Sequence, residues 1–465
     1  MESKKKLKPS QPAKAKMLSV FPVPFILAFV FDCIYGFFYY RCFKATSFYD
    51  TTSYLTAASN LENGKLDLLR TPVYPLLLRT LEHINKKQAT TICVGIQIVV
   101  FYISIFFFFK LLEMFTSNRV MQAAGTVIYG CMSSVITYNF YVLTESFAIS
   151  GTVFFCYLIV RYVRKDKPLC LAGCIVLTLF LAMLRPSMVF LYVVVAVAVV
   201  PLIVRMFRKK KFGLNLVPIF ALILCIAALI GYMMKNKKDN NYFGLSYVSD
   251  MNRFYDVVQA DIWRDNSNVL IVSDLYTRIE EENTAPLGAA IAAEEANRDL
   301  LNDPMRIADF NKEAISKHKT EYLQFLLKKT IRMGAFRTEY NLTHDSYYFK
   351  DEDSKKYVWF GDIFDFNVNF SYLVLLITWV AAITVLIQKK KLMAGEFLIS
   401  LVIAGQIAIN ILSGPAEFHR LNVICYPLTV LLTFACVGLA LDSAGNTISR
   451  QTREVRFRGQ KKRLS

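Results

Sequence analysis

The sequence is poor in charged residues, which fill 19% of its 465 positions, and acidic residues are scarcer than basic ones. So few charges, together with 55% hydrophobic and 14% aromatic residues, exclude an intrinsically disordered chain. A mean hydropathy of +0.37 also excludes an ordinary soluble enzyme. The apolar excess therefore predicts a protein that lies largely in lipid.

Motifs for several kinds of chemistry are also missing. The four histidines form no pair at zinc-binding spacing. No glycine-rich phosphate loop, Walker motif or G-x-S-x-G turn occurs, which argues against a nucleotide-driven pump. Nine of the ten cysteines lie inside apolar runs and none lies in the long polar segment, so the sequence predicts no disulfide framework.

The net charge of +18 is distributed unevenly along the chain. Residues 239–366 contain 15 basic and 23 acidic residues, a net charge of −8, whereas the remainder contains 39 basic and 13 acidic residues. Most of the excess positive charge forms short clusters beside apolar runs, as in multispanning membrane proteins. We therefore expect membrane lipids as partners and no nucleic acid.

Ten windows approach the roughly 20 apolar residues that a membrane span needs. They are Met17 to Tyr40, Ala89 to Phe109, Val120 to Tyr141, Phe147 to Val163, Pro168 to Leu184, Met188 to Val204, Phe212 to Met234, Val368 to Gln388, Leu392 to Leu412 and Leu421 to Leu441. The sequence therefore predicts an all-α fold, a polytopic bundle of about ten transmembrane helices.

The strongest basic clusters alternate with every second window, which predicts that both termini are cytoplasmic. The chain then divides into a basic start (1–16), seven spans (17–234) with a first outer loop (41–88), an extracytoplasmic domain (235–367), three spans (368–441) and a basic tail (442–465). The outer domain is expected to be mostly helical, because Asn302-Asp303-Pro304 is a helix-start signal followed by apolar residues at helical spacing.

With this topology, polar residues at the outer helix ends gather on one side of the membrane. These are Asp50, Glu145, Arg185, Glu417, His419 and Arg420. Carboxylates there can act as a base or as metal ligands, and arginines match a phosphate with forked donors. An acid at a helix end is also a common cap, and an arginine there is a common interfacial anchor.

The first outer loop contains a more specific pattern of residues than the helix ends alone. Asp50 is followed by Tyr54, Ala57, Gly64, Arg70, Pro72 and the pair Tyr74-Pro75. Further patches are Leu143-Thr144-Glu145, Leu184-Arg185-Pro186, the amphipathic stretch His318 to Leu327, and Arg420 followed by Tyr426-Pro427. Together these patches resemble the polytopic glycosyltransferases of the GT-C fold, which include protein O-mannosyltransferases and the aminoarabinose transferases of lipid A.

The resemblance implies transfer of a sugar from a polyprenyl-phosphate carrier to a lipid, glycan or protein acceptor at the outer face of a bacterial cytoplasmic membrane. By this analogy Asp50 is the catalytic base, supported by Glu145, and the two carboxylates share a divalent cation, Mg or Mn, if one is used. Arg185 and Arg420 hold the donor phosphate. Tyr54, Arg70, Tyr74 and His419 are candidates for substrate contact.

Two other functions remain open at this point. A polysaccharide polymerase or ligase is also polytopic and uses lipid-linked glycans, although such enzymes more often place their key arginines in large loops of the second half. A lipid-glycan flippase or secondary transporter is favoured by Asp32, an acidic residue well inside the first apolar window. Related halves or helices broken at the membrane midplane, which are typical of transporters, are not evident in the sequence.

Overall fold

The computed structural model describes residues 23–45, 47, 50–210, 212–301, 303–335, 363, 394–414, 418–439 and 441–442. Within these residues the regular structure is helical and contains no strand. The predicted all-α class is therefore confirmed.

The helices before the long polar segment are α1 (Val23–Phe43), α2 (Thr51–Glu62), α3 (Val73–Asn85), α4 (Ala89–Phe115), α5 (Arg119–Cys131), α6 (Ser133–Ile136), α7 (Glu145–Lys165), α8 (Pro168–Leu184), α9 (Leu191–Lys209) and α10 (Leu216–Asn240). The later helices are α11 (Val248–Gln259), α12 (Val269–Tyr276), α13 (Pro286–Leu301), α14 (Met305–Lys317), α15 (Lys319–Ala335), α16 (Ala394–Ser413) and α17, which spans Arg420–Leu439. A short helical turn, Phe418–Asn422, leads into α17.

Seven helices of the described chain are long and apolar enough to cross a membrane, namely α1, α4, α7, α9, α10, α16 and α17. An eighth span results if α5 and the helical residues Ser133–Asn139 are counted as one element bent by 48°. Helix α8 has 17 residues and falls short of the required length. The predicted span Val368 to Gln388 lies outside the described residues, so the description supports a multi-pass membrane protein with seven or eight candidate spans.

Local chemistry explains the two elements that depart from regular spans. Met132 adopts an extended backbone (φ −71°, ψ 108°) between α5 and α6, which ends the hydrogen-bond ladder and bends the chain. Helix α8 ends at Leu184 because Pro186 disfavours helical backbone at Arg185, which is extended (φ −148°, ψ 114°).

Helices α7 and α17 form the inside of the bundle. In their apolar windows 67% and 72% of the residues are buried, compared with 22% in α1 and 11% in α10. Helix α7 packs on α4 and α8, and α10 packs on α8. The first residues of α7 and α17 therefore lie among other helices rather than at the lipid-facing surface.

A second hydrophobic cluster, called here the second core, lies in the segment that was predicted to be a separate domain. Its fully buried aromatic side chains include Tyr247, Phe254, Trp263 and Phe310, and the helices α11, α13 and α14 pack together here. The predicted helix start is present, since Asp303 Oδ1 accepts from the backbone N–H of Met305 at 3.1 Å. Helix α10 continues to Asn240, six residues beyond the predicted end of its span at Met234.

Candidate functional site

Five charged residues meet at one end of the bundle, which we call the site end. Asp50 immediately precedes α2, and Arg70 lies in the loop between α2 and α3. Glu145 begins α7, Arg185 follows α8, and Arg420 begins α17. The side chain of Thr51 ties the start of α2 to the segment before α7 by donating to the backbone oxygen of Val142 at 3.1 Å. We call the five charged residues the site cluster.

Arg420 bridges the two carboxylates of the site cluster. Its Nη2 donates to Asp50 Oδ2 at 2.5 Å, and its Nε donates to Glu145 Oε1 at 2.6 Å. The three residues are far apart in sequence but are joined by a single guanidinium group, which is 8% exposed. Charge-assisted bonds of this length are among the stronger polar contacts in proteins.

Each carboxylate has a second arginine partner. Arg70 Nη2 lies 2.7 Å from Asp50 Oδ1, and Arg185 Nη1 lies 2.9 Å from Glu145 Oε1. The charges therefore alternate along one chain of contacts, from Arg70 through Asp50, Arg420 and Glu145 to Arg185. Three guanidinium groups and two ionised carboxylates leave the site cluster with a net charge of +1.

The site cluster is most exposed at Asp50. The Asp50 side chain is 22% exposed and that of Arg70 is 17% exposed, whereas Glu145 is fully buried. Burial alone would raise the pKa of Asp50, but the nearby guanidinium groups of Arg420 and Arg70 outweigh it and hold the pKa well below its usual range. Asp50 is therefore ionised at neutral pH and, in this arrangement, a weak base.

Tyr54 forms one wall of the site. Its hydroxyl lies 3.4 Å from Arg70 Nη1 and 3.4 Å from Thr144 Oγ1, and the Arg70 guanidinium lies 4.5 Å above its ring. Tyr74 packs edge-on behind Tyr54 at 5.0 Å between ring centroids. Of these two residues predicted to contact substrate, Tyr54 is buried and Arg70 is 17% exposed, so the ring of Tyr54 lies beneath the guanidinium group of Arg70.

The other two residues predicted to contact substrate are Tyr74 and His419. Tyr74 is fully buried behind the ring of Tyr54 and its hydroxyl donates to Gln97 Oε1 at 3.1 Å, and its contact with substrate stays a prediction. Gln97 is held in turn by the backbone oxygens of Asn139 and Tyr141. Glu417 and the side chain of His419 lie outside the described part of the structure.

Three hydroxyl groups that are not among the predicted site residues hold the arginines in place. Ser53 Oγ accepts from Arg70 Nε at 2.7 Å, Ser187 Oγ accepts from Arg185 Nε at 3.2 Å, and Thr144 Oγ1 accepts from Arg185 Nη1 at 3.3 Å. Ser53 lies three residues after Asp50, on the same helical face. That spacing is a signal from which Ser53 could have been predicted.

The donor set does not fit a divalent cation in this arrangement. Both carboxylates are bound to guanidinium groups, and Arg420 contacts one oxygen of each. Across the described residues no group of three or more His, Cys, Asp or Glu side chains is placed to hold a metal ion. The shared Mg or Mn site remains a prediction, and no chemical step is assigned to it below.

No protein-family model matches the chain, and no curated protein matches it either. The resemblance to the GT-C enzymes therefore depends on the short patches quoted above.

Proposed function

We propose that this protein is a membrane glycosyltransferase that transfers a sugar from a polyprenyl-phosphate-linked donor to an acceptor at the outer face of a bacterial cytoplasmic membrane. The full chain would then be a GT-C-like bundle of about ten spans with an extracytoplasmic helical domain and both termini in the cytoplasm. The observation that carries the proposal is the alternating chain of three arginines and two carboxylates at the site end.

The charge of the site cluster suits this donor. A sugar joined to a polyprenyl phosphate carries one negative charge on its phosphodiester, and the cluster has a net charge of +1. Arg185 and Arg420 present forked donors that match phosphate oxygens. Their position at helix ends suits a donor whose lipid tail stays in the membrane while its sugar is in water.

The reaction is a displacement at the anomeric carbon of the donor. The acceptor oxygen forms a bond to this carbon while its proton passes to an oxygen of Asp50. The bond between the anomeric carbon and the phosphate oxygen breaks, and the electron pair leaves with the polyprenyl phosphate. Arg185 and Arg420 stabilise the charge that develops on this phosphate.

Donor binding also makes Asp50 a better base. In the ligand-free arrangement Arg420 and Arg70 hold the pKa of Asp50 low, which opposes proton transfer from a hydroxyl group. A bound phosphate competes with Asp50 for Arg420, so the carboxylate loses one of its two cations when the donor arrives. Asp50 therefore becomes more basic only when the donor is bound.

The test is mass spectrometry of polyprenyl-linked sugars and surface glycans in cells that lack the protein. We expect one lipid-linked sugar to accumulate and one glycan to lack a single residue. The wild-type protein should restore both, and Asp50→Asn at equal abundance should restore neither. Unchanged lipid-linked sugars and glycans in the deleted cells would contradict the proposal.

Asp32 favours a second candidate function, a lipid-glycan flippase or secondary transporter. Among the described residues neither carboxylate oxygen of Asp32 has a hydrogen-bond partner, although both are buried within α1. An unpaired acid in a membrane helix is costly and is often retained for proton or ion coupling.

An assay with vesicles that contain the purified protein and a fluorescent polyprenyl-linked sugar distinguishes the two candidate functions. Asp32→Asn should leave sugar transfer intact if the enzyme proposal is right, whereas a transporter would lose translocation of the lipid.

A further inference from the structure

The loop that carries Arg70 is held by the segment that precedes the second core. This loop, residues 63–71, connects α2 to α3 and is called here the Arg70 loop. The segment that holds it, residues 235–247, contains the last turn of α10 and the approach to α11. The two segments are more than 160 residues apart in sequence, and no sequence motif links them.

The end of α10 binds the first half of the Arg70 loop. Lys235 Nζ donates to the backbone oxygen of Gly64 at 3.0 Å. Asp239 Oδ2 accepts from the backbone N–H of Leu66 at 2.9 Å, and Asn240 Nδ2 donates to the backbone oxygen of Leu66 at 3.0 Å. Both backbone groups of Leu66 are thereby bound to one helix end.

The approach to α11 binds the second half. The backbone N–H of Tyr247 donates to the oxygen of Leu68 at 3.0 Å, and Ser246 Oγ donates to the oxygen of Leu69 at 2.6 Å. The side chains of Leu68 and Leu69 pack against the second core. The residue immediately before Arg70 is therefore held by both its backbone and its side chain.

Within the loop, Asp67 fixes the turn that presents Arg70. Asp67 Oδ1 accepts from the backbone N–H groups of Leu69 and Arg70, both at 2.9 Å. Asp67 Oδ2 accepts from Asn60 Nδ2 on α2 at 2.9 Å. A shift of about 1 Å in this turn would lengthen the 2.7 Å contact between Arg70 and Asp50 beyond hydrogen-bond distance.

We propose that Asn240 and Ser246 are positioning residues that set the guanidinium group of Arg70 against Asp50. The second core is thereby coupled to the site cluster, and any ligand or acceptor that moves residues 235–247 changes the contact that holds Asp50. Only the effect of that change on sugar transfer rests on the proposed function. The positioning of Arg70 itself can be measured without a substrate.

The first measurement is the rate at which phenylglyoxal modifies each arginine in the detergent-solubilised full chain, followed by peptide mass spectrometry. In Ser246→Ala and Asn240→Ala we expect Arg70 to react several-fold faster than in the wild type. Asn266→Ala is the matched control, because it removes a buried hydrogen bond of the second core, from Asn266 Nδ2 to the Phe310 oxygen at 2.9 Å. The control should leave Arg70 unchanged.

Equal Arg70 rates in the wild type and in Ser246→Ala would overturn the proposal. A rise at Arg70 that is matched by equal rises at Arg185 and Arg420 would also overturn it, because the variant would then loosen the whole site. Arg119, half exposed and outside the site, provides the internal reference for reagent concentration.

The second measurement is binding of a polyprenyl-phosphate sugar in a double-mutant cycle. Because Arg70 is itself predicted to contact substrate, Ser246→Ala should weaken binding by roughly threefold to tenfold when Arg70 is present, the effect of one hydrogen bond lost between Arg70 and the donor. It should have no further effect in the Arg70→Ala background, because the two residues act through one contact. Full additivity would overturn the positioning role, whereas absence of donor binding by the wild type would contradict the proposed function alone.

Discussion

The two ends of the helix bundle use the same residue types in different arrangements. At the site end, Arg420 shares its donors between two carboxylates, and each carboxylate has a second arginine. At the opposite end the pairs are mostly separate and more exposed, as in Arg205 with Asp166, which are 33% and 63% exposed. Exposed pairs of this kind contribute about 0 to 1 kcal/mol. Removing one member of a buried network instead leaves a charge without its partner in a dry environment.

This contrast distinguishes exposed charges, which the topology of a membrane protein can explain, from the buried charges of the site cluster, which need another explanation. By the positive-inside rule, basic residues at one end can orient a membrane protein whether or not they form ion pairs. A buried alternating chain has no such explanation, since its desolvation is costly. The predictions below test the contrast, beginning with the largest expected effect.

The first prediction is that the two ends face opposite sides of the membrane. Single cysteines replace Glu282, exposed beside the second core, and Ser117, exposed at the opposite end, in a protein without its native cysteines. In intact bacterial cells a membrane-impermeant thiol reagent should label Glu282→Cys fully and Ser117→Cys only after permeabilisation. The reverse pattern would place the site end in the cytoplasm and contradict the proposed outer-face reaction.

The second prediction concerns the chemical step. Asp50→Asn retains the shape of the side chain and removes its basic oxygen, so the rate of sugar transfer should fall by about 10² to 10⁴. Donor binding should persist, because Arg185 and Arg420 remain. Transfer is measured with purified protein and a defined polyprenyl-phosphate sugar. Asp166→Asn is the matched control at the opposite end, and wild-type transfer by Asp50→Asn would remove this residue from the mechanism.

The third prediction concerns stability. Glu145 is fully buried between Arg185 and Arg420, so Glu145→Gln leaves two guanidinium groups with weaker partners. We expect the free energy of unfolding to fall by about 3 kcal/mol, as for a broken buried ion pair. Unfolding in mixed detergent with increasing denaturant measures it. Asp166→Asn should change the same quantity by less than about 1 kcal/mol. Equal losses in both variants would remove the distinction between the two ends.

The site was predictable from sequence to the extent that membrane topology brings residues together. Asp50, Glu145 and Arg420 stand at helix starts, and Arg185 follows the end of a helix that runs the opposite way, so alternating helix direction predicts that they meet. That Arg420 bridges the two acids was not predictable, because the pattern does not specify distances. The pattern also did not show that Tyr74 is buried behind Tyr54, since a tyrosine in a matched motif can point either way.

Long-range contacts account for the rest of what the sequence did not reveal. The Arg70 loop and residues 235–247 meet through backbone groups, which carry no side-chain signature. No proline marks the bend at Met132, so the window Val120 to Tyr141 resembled a continuous span. Such features follow from packing among distant helices rather than from local propensity.

The last prediction has the smallest expected effect and compares three residues at position 420. Arg420→Ala should weaken binding of the polyprenyl-phosphate sugar by about tenfold to a hundredfold, the range for a lost charged hydrogen bond. Arg420→Lys should weaken it less, because lysine keeps the charge but loses the fork that reaches Asp50 and Glu145 together. Donor affinity is measured directly on detergent-solubilised protein, with Arg205→Lys at the opposite end as the control. If all versions bind equally, Arg420 only ties α17 to α7 and Asp50, and the site cluster has a structural role. The graded order of arginine, lysine and alanine instead requires that this guanidinium group contact the donor phosphate.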